Sequence, residues 1–163
     1  MKFTHLIEIN DPLLPLVDVL TRAQLWRGLV LRATSPKLFV PYLDDCTISD
    51  RQPNHFARAL RYGEVTICDV VTLKPEQEVI ITVPAQNDIA ASSLTMRIEE
   101  PQPEALFVRF LYDDDQVVET SSIDAFYDEY RRSAYQESDI DTIRLVRQLA
   151  QEGGLNIDRV DLH

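Results

Sequence analysis

Hydrophobic and polar residues alternate along the first segment of the chain. Phe3, His5, Ile7 and Ile9 fall on one side of an extended segment, with mostly polar residues between them. A period of two indicates a β-strand with one buried face. Asn10-Asp11-Pro12 ends the alternation, so the pattern predicts a single strand before the first turn.

Two helix starts follow this strand. Thr21 and Gln24 have the spacing of a capping box, in which each side chain bonds the backbone of the other residue. Ser35-Pro36 is a second start, with Ser as N-cap and Pro at the first helical position, and Pro41 stops that helix after one or two turns. We therefore expect two short helices in a helix-turn-helix arch. The first has this apolar stripe: Leu25, Trp26, Leu29 and Val30.

From Asp44 to Tyr112 the hydrophobic period is two, and turn residues separate the apolar segments. This spacing predicts an antiparallel meander, in which Gly63 permits a tight hairpin. The six predicted strands lie near residues 44–50, 55–62, 64–73, 77–83, 92–100 and 105–112.

A long helix is predicted from Ser122 to Glu152, ended by a left-handed cap at Gly153-Gly154. It is about 45 Å long at 1.5 Å per residue, so it must lie across the sheet to bury its apolar stripe. We expect one α+β domain over residues 1–154 and a C-terminal tail over residues 155–163. The predicted stripe consists of Ile123, Phe126, Tyr127, Tyr130, Ala134, Ile140, Ile143, Val146, Leu149 and Ala150.

Composition narrows the classes of partner. The 163 residues carry a net charge of −11 and are 45% hydrophobic, which is enough for a core. The acidic excess disfavours binding to nucleic acid and stable association with anionic membranes. Two distant cysteines and three histidines do not suggest a metal site, so we expect neither a metal nor a cofactor. With no targeting or membrane-spanning segment recognisable, we expect a cytoplasmic protein.

The order of these elements resembles a known superfamily. One strand, two short helices, six strands and a long helix is the order of the helix-grip fold of the birch-pollen-allergen-like START/SRPBCC superfamily. Residues 4–12, 20–33 and 38–41 resemble the branch that is similar to an acetylaranotin-cluster protein. The resemblance implies a curved seven-stranded antiparallel sheet around the C-terminal helix. It also implies binding or processing of hydrophobic molecules such as lipids, sterols or polyketides, but it assigns no catalytic residue.

The hairpin around Gly63 carries two charges on an apolar face. If its loop is Tyr62-Gly63, Leu60 lies opposite Val65, and Arg58 and Asp69 are diagonal neighbours. Charges on an apolar face must be paired, because unpaired burial is costly. Arg58 and Asp69 are therefore either a polar anchor for a ligand or a structural ion pair, unless this face points to solvent. If the strand register differs by one residue, Arg58 and Asp69 no longer share this face and the pairing is not expected.

Five further residues are candidates for the wall of a ligand pocket. His5 on its apolar strand face is either a hydrogen-bonding or general-base group or a satisfied core residue. Tyr112, Tyr127 and Tyr130 either bond a ligand carbonyl or pack with their hydroxyls at the rim. Met96 is expected to form part of the pocket wall and to have no chemical role.

Three functions are consistent with these residues. The first is binding of a hydrophobic small molecule, such as a lipid, polyketide or aromatic metabolite, between sheet and helix. The second is an enzyme of the polyketide cyclase/aromatase or dehydratase kind, which requires titratable groups converging in one cavity. The third is a co-chaperone-like interaction module, which a filled core and an apolar patch at residues 13–20 would favour. Recognised hydrolase, nucleotide-binding and metalloprotease motifs are not found in the sequence.

Overall fold

The computed structural model describes residues 2–14, 19–114 and 122–155, and the side chains of the last segment from residue 126 onward. The elements follow the predicted order, with each boundary close to its expected place. They are β1 Lys2–Asn10, α1 Arg22–Thr34, a 3₁₀ turn Pro36–Leu38, β2 Asp45–Gln52, β3 His55–Tyr62, β4 Val65–Lys74, β5 Glu78–Val83, β6 Ser92–Gln102, β7 Ala105–Asp114 and α2 Ser122–Gln151.

All seven strands form one curved antiparallel sheet in the order β1-β7-β6-β5-β4-β3-β2. The strands from β2 to β7 pair consecutively as a meander, and β1 completes the sheet by pairing with β7. In β1, Phe3, His5 and Ile7 are partly buried and Ile9 is buried, while Thr4, Leu6 and Glu8 are exposed. The predicted strand face and the predicted α+β fold class are confirmed.

The hairpin between β3 and β4 differs from the predicted register by two residues. Its loop is Gly63-Glu64, where Gly63 has φ +62°, a conformation that a residue with a Cβ rarely adopts. Leu60 therefore lies opposite Ile67 and not Val65. Because a shift of two residues keeps every side chain on the same face, the predicted apolar face is retained. The shift places Arg58 directly opposite Asp69.

Helix α1 begins as predicted, but the second helix is shorter than expected. Thr21 accepts a hydrogen bond from the Gln24 amide at 3.0 Å, and Gln24 accepts one from the Thr21 amide at 2.9 Å. This reciprocal pair confirms the capping box. After Pro36 only one 3₁₀ turn forms, because Pro41 has no amide hydrogen with which to continue a helix.

The core fills one end of the groove between the sheet and the two helices. Leu25 and Leu29 of α1 and Val146 of α2 have no exposed surface. Leu155, in the predicted tail, is also buried, and its carbonyl accepts a hydrogen bond from Arg27 at 2.9 Å. The sheet contributes these buried side chains: Ile9, Phe56, Val71, Val79, Ile81, Met96, Ile98, Leu106, Val108 and Phe110.

The apolar stripe predicted for α2 is correct only from Ile143 onward. Phe126, Tyr127, Tyr130 and Ile140 are exposed, whereas Ile143 and Val146 are buried. The reason is that polar residues occupy the inward face farther from the core: Tyr135 is partly buried, and Asp139 and Thr142 are buried. The predicted stripe residue Ile123 lies outside the described side chains. The predicted helix end is confirmed, with Gly153 at φ +76° and a 2.8 Å bond from the Gly154 amide to the Leu149 carbonyl.

Candidate ligand-binding site

A cavity of about 290 Å³ occupies the end of the groove that the core leaves open. One part of its wall is apolar and is formed by strands β3 to β6. Polar groups come from the last turn of α1, from β3, β4, β6 and β7, and from α2. The lining residues are Leu60, Ile67, Ile81, Val83 and Leu94 on the apolar side, and Arg32, Arg58, Tyr62, Asp69, Ser92, Ser93, Tyr112, Asp113, Asp114 and Tyr135 on the polar side.

The cavity exists because α2 changes character along its length. Val146 and Ile143 pack into the sheet, but one to two turns earlier the inward positions are held by Asp139 and Tyr135. Tyr135 stacks on Tyr112 of β7 with ring centroids 4.0 Å apart. This aromatic pair supports the helix over the sheet without filling the space between β3 and β6.

Arg58 and Asp69 form a buried bidentate ion pair in the cavity wall. Arg58 donates from Nε to Oδ1 at 2.8 Å and from Nη2 to Oδ2 at 2.6 Å, and both residues are about 95% buried, with 4% and 5% of their surface exposed. A third hydrogen bond, from Nη1 to the carbonyl of Ala33 at 2.9 Å, ties this pair to the end of α1. The charge of Arg58 is thus neutralised locally, and the pair positions the last turn of α1.

Arg32 lies one residue before that tethered carbonyl and lines the same cavity. Its recorded contact is with the ring of Phe39, whose centroid is 5.9 Å from the guanidinium carbon. Burial, the larger cause, and the neighbouring charge of Arg58 both lower the pKa of Arg32 below its ordinary value. The sequence interpretation did not select Arg32, although a charge on the stripe of Leu25 and Leu29 is the same signal that identified Arg58.

A second polar group joins β1, β7 and α2. Asp139, with 3% of its surface exposed, is 2.6 Å from Nε2 of His5 and accepts bonds from the Tyr112 hydroxyl at 2.8 and 2.7 Å. His5 is held between the rings of Phe3 and Phe110, with centroids 5.5 and 5.2 Å away. Tyr112 lines the cavity and His5 is not among the lining residues, so the network has one end at the cavity wall.

The electrostatics of this network follow from burial. Burial raises the pKa of Asp139, and hydrogen bonds from His5 and Tyr112 oppose that rise. Burial and the adjacent Asp139 carboxylate raise the pKa of Tyr112, so its hydroxyl keeps its proton at neutral pH. The side chain that the sequence interpretation missed here is Asp139. Its spacing from Tyr135, Thr142 and Val146 places it on the buried helix face.

The remaining predicted site residues, Met96, Tyr127 and Tyr130, do not line the cavity. Met96 is buried in the core and is not among the residues that line the cavity. Tyr127 and Tyr130 are 60% and 67% exposed and also lie outside the lining. They do not reach this cavity because the inward face of α2 at this level is the one that carries Tyr135.

Three other expectations can be compared with the described residues. Within residues 2–14, 19–114 and 122–155, no three His, Cys, Asp or Glu side chains are grouped so that they could hold a metal ion. No helix in the same part of the chain is long and apolar enough to cross a membrane. In the apolar patch predicted at residues 13–20, Leu13, Leu14 and Val19 are exposed, but Leu20 is buried in the core. Residues 15–18 lie outside the described part of the chain.

Sequence comparison assigns the chain to a family. The profile of the family described as acetylaranotin biosynthesis cluster protein L (AtaL) matches residues 7–153, so the protein belongs to the AtaL family of the START/SRPBCC superfamily. The match runs from β1 to the end of α2. No curated protein matches the sequence significantly.

Solved structures with the same fold share little sequence with this chain. The di-domain aromatase/cyclase StfQ of the steffimycin biosynthetic pathway has a TM-score of 0.67 and 12% identity over 94% of this chain and 51% of its own. The Zhui aromatase/cyclase from Streptomyces sp. R1128 has a TM-score of 0.59 and 13% identity over 93% of each chain. Ara h 8.0201 has a TM-score of 0.56 and 10% identity over 93% of this chain and 99% of its own. The chain thus spans about half of the two-domain StfQ, and these similarities establish the helix-grip fold.

Proposed function

We propose that this protein binds a hydrophobic small molecule carrying a polar group, in the cavity between the sheet and α2. The observation that carries the proposal is the division of the cavity wall. Leu60, Ile67, Ile81, Val83 and Leu94 supply an apolar surface, and Arg32 and Tyr112 are polar groups on the same wall. Small-molecule sites combine a mostly apolar wall with a few placed polar groups in this way.

The size of the cavity limits the ligand. Its volume of about 290 Å³ is just below the range of roughly 300–1,000 Å³ for small-molecule sites. A molecule with one or two aromatic rings fits this space better than a sterol or a diacyl lipid. The descriptions of the family and of StfQ and Zhui, which refer to biosynthesis and to aromatase/cyclase proteins, support an aromatic or polyketide-derived ligand.

Native mass spectrometry of gently purified protein tests the proposal. We expect a discrete bound mass, either carried from the host or acquired from a metabolite extract. Ile67→Trp should abolish it, because Ile67 lines the cavity and the indole would occupy the space. Val65→Trp is the matched control, since Val65 lies two residues earlier on β4, is 51% exposed and is outside the lining. Equal ligand retention by both folded variants would contradict a site in this cavity.

A second candidate function is catalysis of the cyclase/aromatase or dehydratase kind, and the Asp139 network favours it. The carboxylate is hydrogen-bonded to His5, and to Tyr112 at the cavity wall. In such a reaction a base removes a proton from the carbon next to a ketone. The C–H electron pair forms the enolate double bond, and the negative charge on oxygen is stabilised by Arg32. The Tyr112 oxygen would take this proton from carbon while its own hydroxyl proton passes to the Asp139 carboxylate, so that Tyr112 stays neutral and Asp139 becomes protonated.

Hydrogen–deuterium exchange of a simple ketone distinguishes catalysis from binding. We expect the protein to accelerate exchange of the methyl protons of 2-acetylnaphthalene in D₂O, measured by NMR. Tyr112→Phe should remove the acceleration while the ketone still binds, because the ring and its stacking on Tyr135 are retained. Exchange at the buffer rate with a bound ketone would overturn the catalytic candidate and leave the binding function intact.

A further inference from the structure

We propose that Arg32 is an anion subsite in the cavity, which binds the carboxylate of an aromatic or other apolar acid. This inference rests on the proposed binding function and deepens it, because it names the chemical class of the ligand. The proposal depends on three observations: the lack of a polar partner for Arg32, the engagement of the nearby carboxylates, and the way Arg32 is held.

Arg32 differs from the other arginines that are shielded from solvent. Among the described residues, each of the other partly or fully buried arginines donates a hydrogen bond to a carboxylate or a backbone carbonyl. Those residues are Arg22, Arg27, Arg58, Arg109, Arg131 and Arg147. Within the same part of the chain, Arg32 has neither an ion pair nor a hydrogen bond, and its recorded contact is with the Phe39 ring.

Three of the four carboxylates near the cavity already have partners. Asp69 is paired with Arg58, and Asp139 accepts from Tyr112 and contacts His5. Asp114 lies 3.4 Å from Arg131. Asp113 is exposed. Arg32 therefore faces the cavity as a cation whose charge is not balanced by a direct contact in the described structure.

The fold holds this cation in place at a cost. Arg58 anchors the carbonyl of Ala33, the next residue, at 2.9 Å, and Phe39 lies beside the guanidinium. Both burial and Arg58 oppose the charge of Arg32, as the lowered pKa reflects. A bound carboxylate would offset this cost, since its two oxygens match the planar donors of a guanidinium.

A singly charged carboxylate fits the site better than a phosphate. Arg32 is the cation of the cavity wall that lacks a partner, because Arg58 is neutralised by Asp69, and no lysine is among the lining residues. A dianion would need a second cation, and the net charge of −11 opposes it further. The apolar wall across the cavity takes the body of the molecule.

Two probes with the same rings and different charge test this assignment. 2-Naphthoate carries a carboxylate and 2-naphthamide does not, and isothermal titration calorimetry gives the affinity of each. We expect native protein to prefer 2-naphthoate by about tenfold or more, the scale of a hydrogen-bonded charge pair. Arg32→Met should remove that preference and leave the affinity for 2-naphthamide within about twofold.

Arg51→Met is the matched control for the loss of one positive charge. Arg51 is an exposed residue of β2 outside the cavity lining, so this variant should keep the preference for 2-naphthoate. Circular dichroism and urea unfolding establish that both variants are folded. Arg32→Lys should recover part of the preference, because it restores the charge without the planar donors.

The outcomes separate the anion subsite from the binding function. If native protein binds both probes equally, or if Arg32→Met weakens both equally, the anion subsite is overturned and ligand binding stands. If folded native protein binds neither probe and retains no small molecule in native mass spectrometry, both proposals are overturned. If Arg51→Met loses the preference for 2-naphthoate as Arg32→Met does, the preference depends on the net charge of the protein and not on Arg32. That result would also overturn the subsite.

Discussion

At the scale of single residues, Arg58 and Asp69 illustrate how a buried ion pair constrains a chain. Three hydrogen bonds join the guanidinium to Asp69 and to the end of α1. Removing one partner leaves a charge buried without its counterion, whereas removing both leaves a neutral wall. The pair therefore contributes more to the position of α1 than to net stability.

We expect Arg58→Met alone, or Asp69→Leu alone, to lower the free energy of unfolding by about 3–5 kcal/mol. The double variant should lose much less than the sum of the two, as measured by urea denaturation. Strictly additive losses would contradict a coupled pair. Unchanged affinity for a cavity ligand in the folded double variant would exclude the polar-anchor role predicted for Arg58 and Asp69.

Asp139 makes the free energy of unfolding depend on pH, and the sign of this dependence follows from its raised pKa. Between the ordinary Asp pKa of about 3.9 and the raised value, the folded state binds more protons than the unfolded state. The contribution of this group to stability therefore falls as pH rises through that interval. Asp139→Asn cannot ionise and can still accept a hydrogen bond from Tyr112.

We expect the difference in free energy of unfolding, Asp139→Asn minus native, to increase upward from about pH 4 and to level off above the raised pKa. Urea denaturation at a series of pH values measures it. Asp141→Asn, an exposed position on the same helix, controls for removal of one negative charge. A difference that decreases with pH would contradict the raised pKa.

At the scale of elements, the crossing of α1 and α2 depends on Gly28. A Cβ added there would lie 2.6 and 2.7 Å from the two γ-carbons of Val146, which has no exposed surface. Intrinsic helix propensity would favour alanine by about 1 kcal/mol, so it opposes the steric effect. The sign of the change in the free energy of unfolding for Gly28→Ala identifies whether helix propensity or the steric contact with Val146 dominates.

We expect Gly28→Ala to destabilise the protein by about 1–3 kcal/mol in urea denaturation, because the packed interface must separate. In a Val146→Ala background the added methyl group has space, so the same substitution should be neutral or stabilising. Destabilisation of equal size in both backgrounds would show that the contact with Val146 is not its cause.

At the scale of the whole molecule, the sheet and helices pack tightly at one end and leave the cavity at the other. A ligand that binds only the folded state stabilises it by mass action. If the ligand binds in this cavity, the increase in the free energy of unfolding should disappear when a larger side chain fills the cavity.

We expect 2-naphthoate at 100 times its dissociation constant to raise the free energy of unfolding by about 2.7 kcal/mol. The increase should be lost in Ile67→Trp and kept in Val65→Trp. Urea unfolding with and without the probe measures both variants. Equal stabilisation of the two would place the binding site outside this cavity.

Local chemistry explains the parts of the fold that sequence analysis predicted well. The Thr21 capping box, the Gly63 hairpin and the alternation in β1 depend on neighbouring residues, and the structure contains all three. The helix α2 forms as predicted, but the apolar stripe predicted for its N-terminal half was wrong, because Phe126, Tyr127 and Tyr130 share a helical period with apolar residues yet face outward. Periodicity alone does not show which of two stripes meets the sheet.

The sequence by itself determined the strand faces, the helix starts, the order of elements and the presence of charge on the apolar face of β3 and β4. Only the tertiary structure decided which charges have partners: it joined Arg58 to Asp69 and Ala33, joined Asp139 to His5 and Tyr112, and left Arg32 facing the cavity. Secondary structure follows from interactions a few residues apart, which the sequence displays. Pairing between residues such as His5 and Asp139, 134 positions apart, depends on how the helices lie over the sheet.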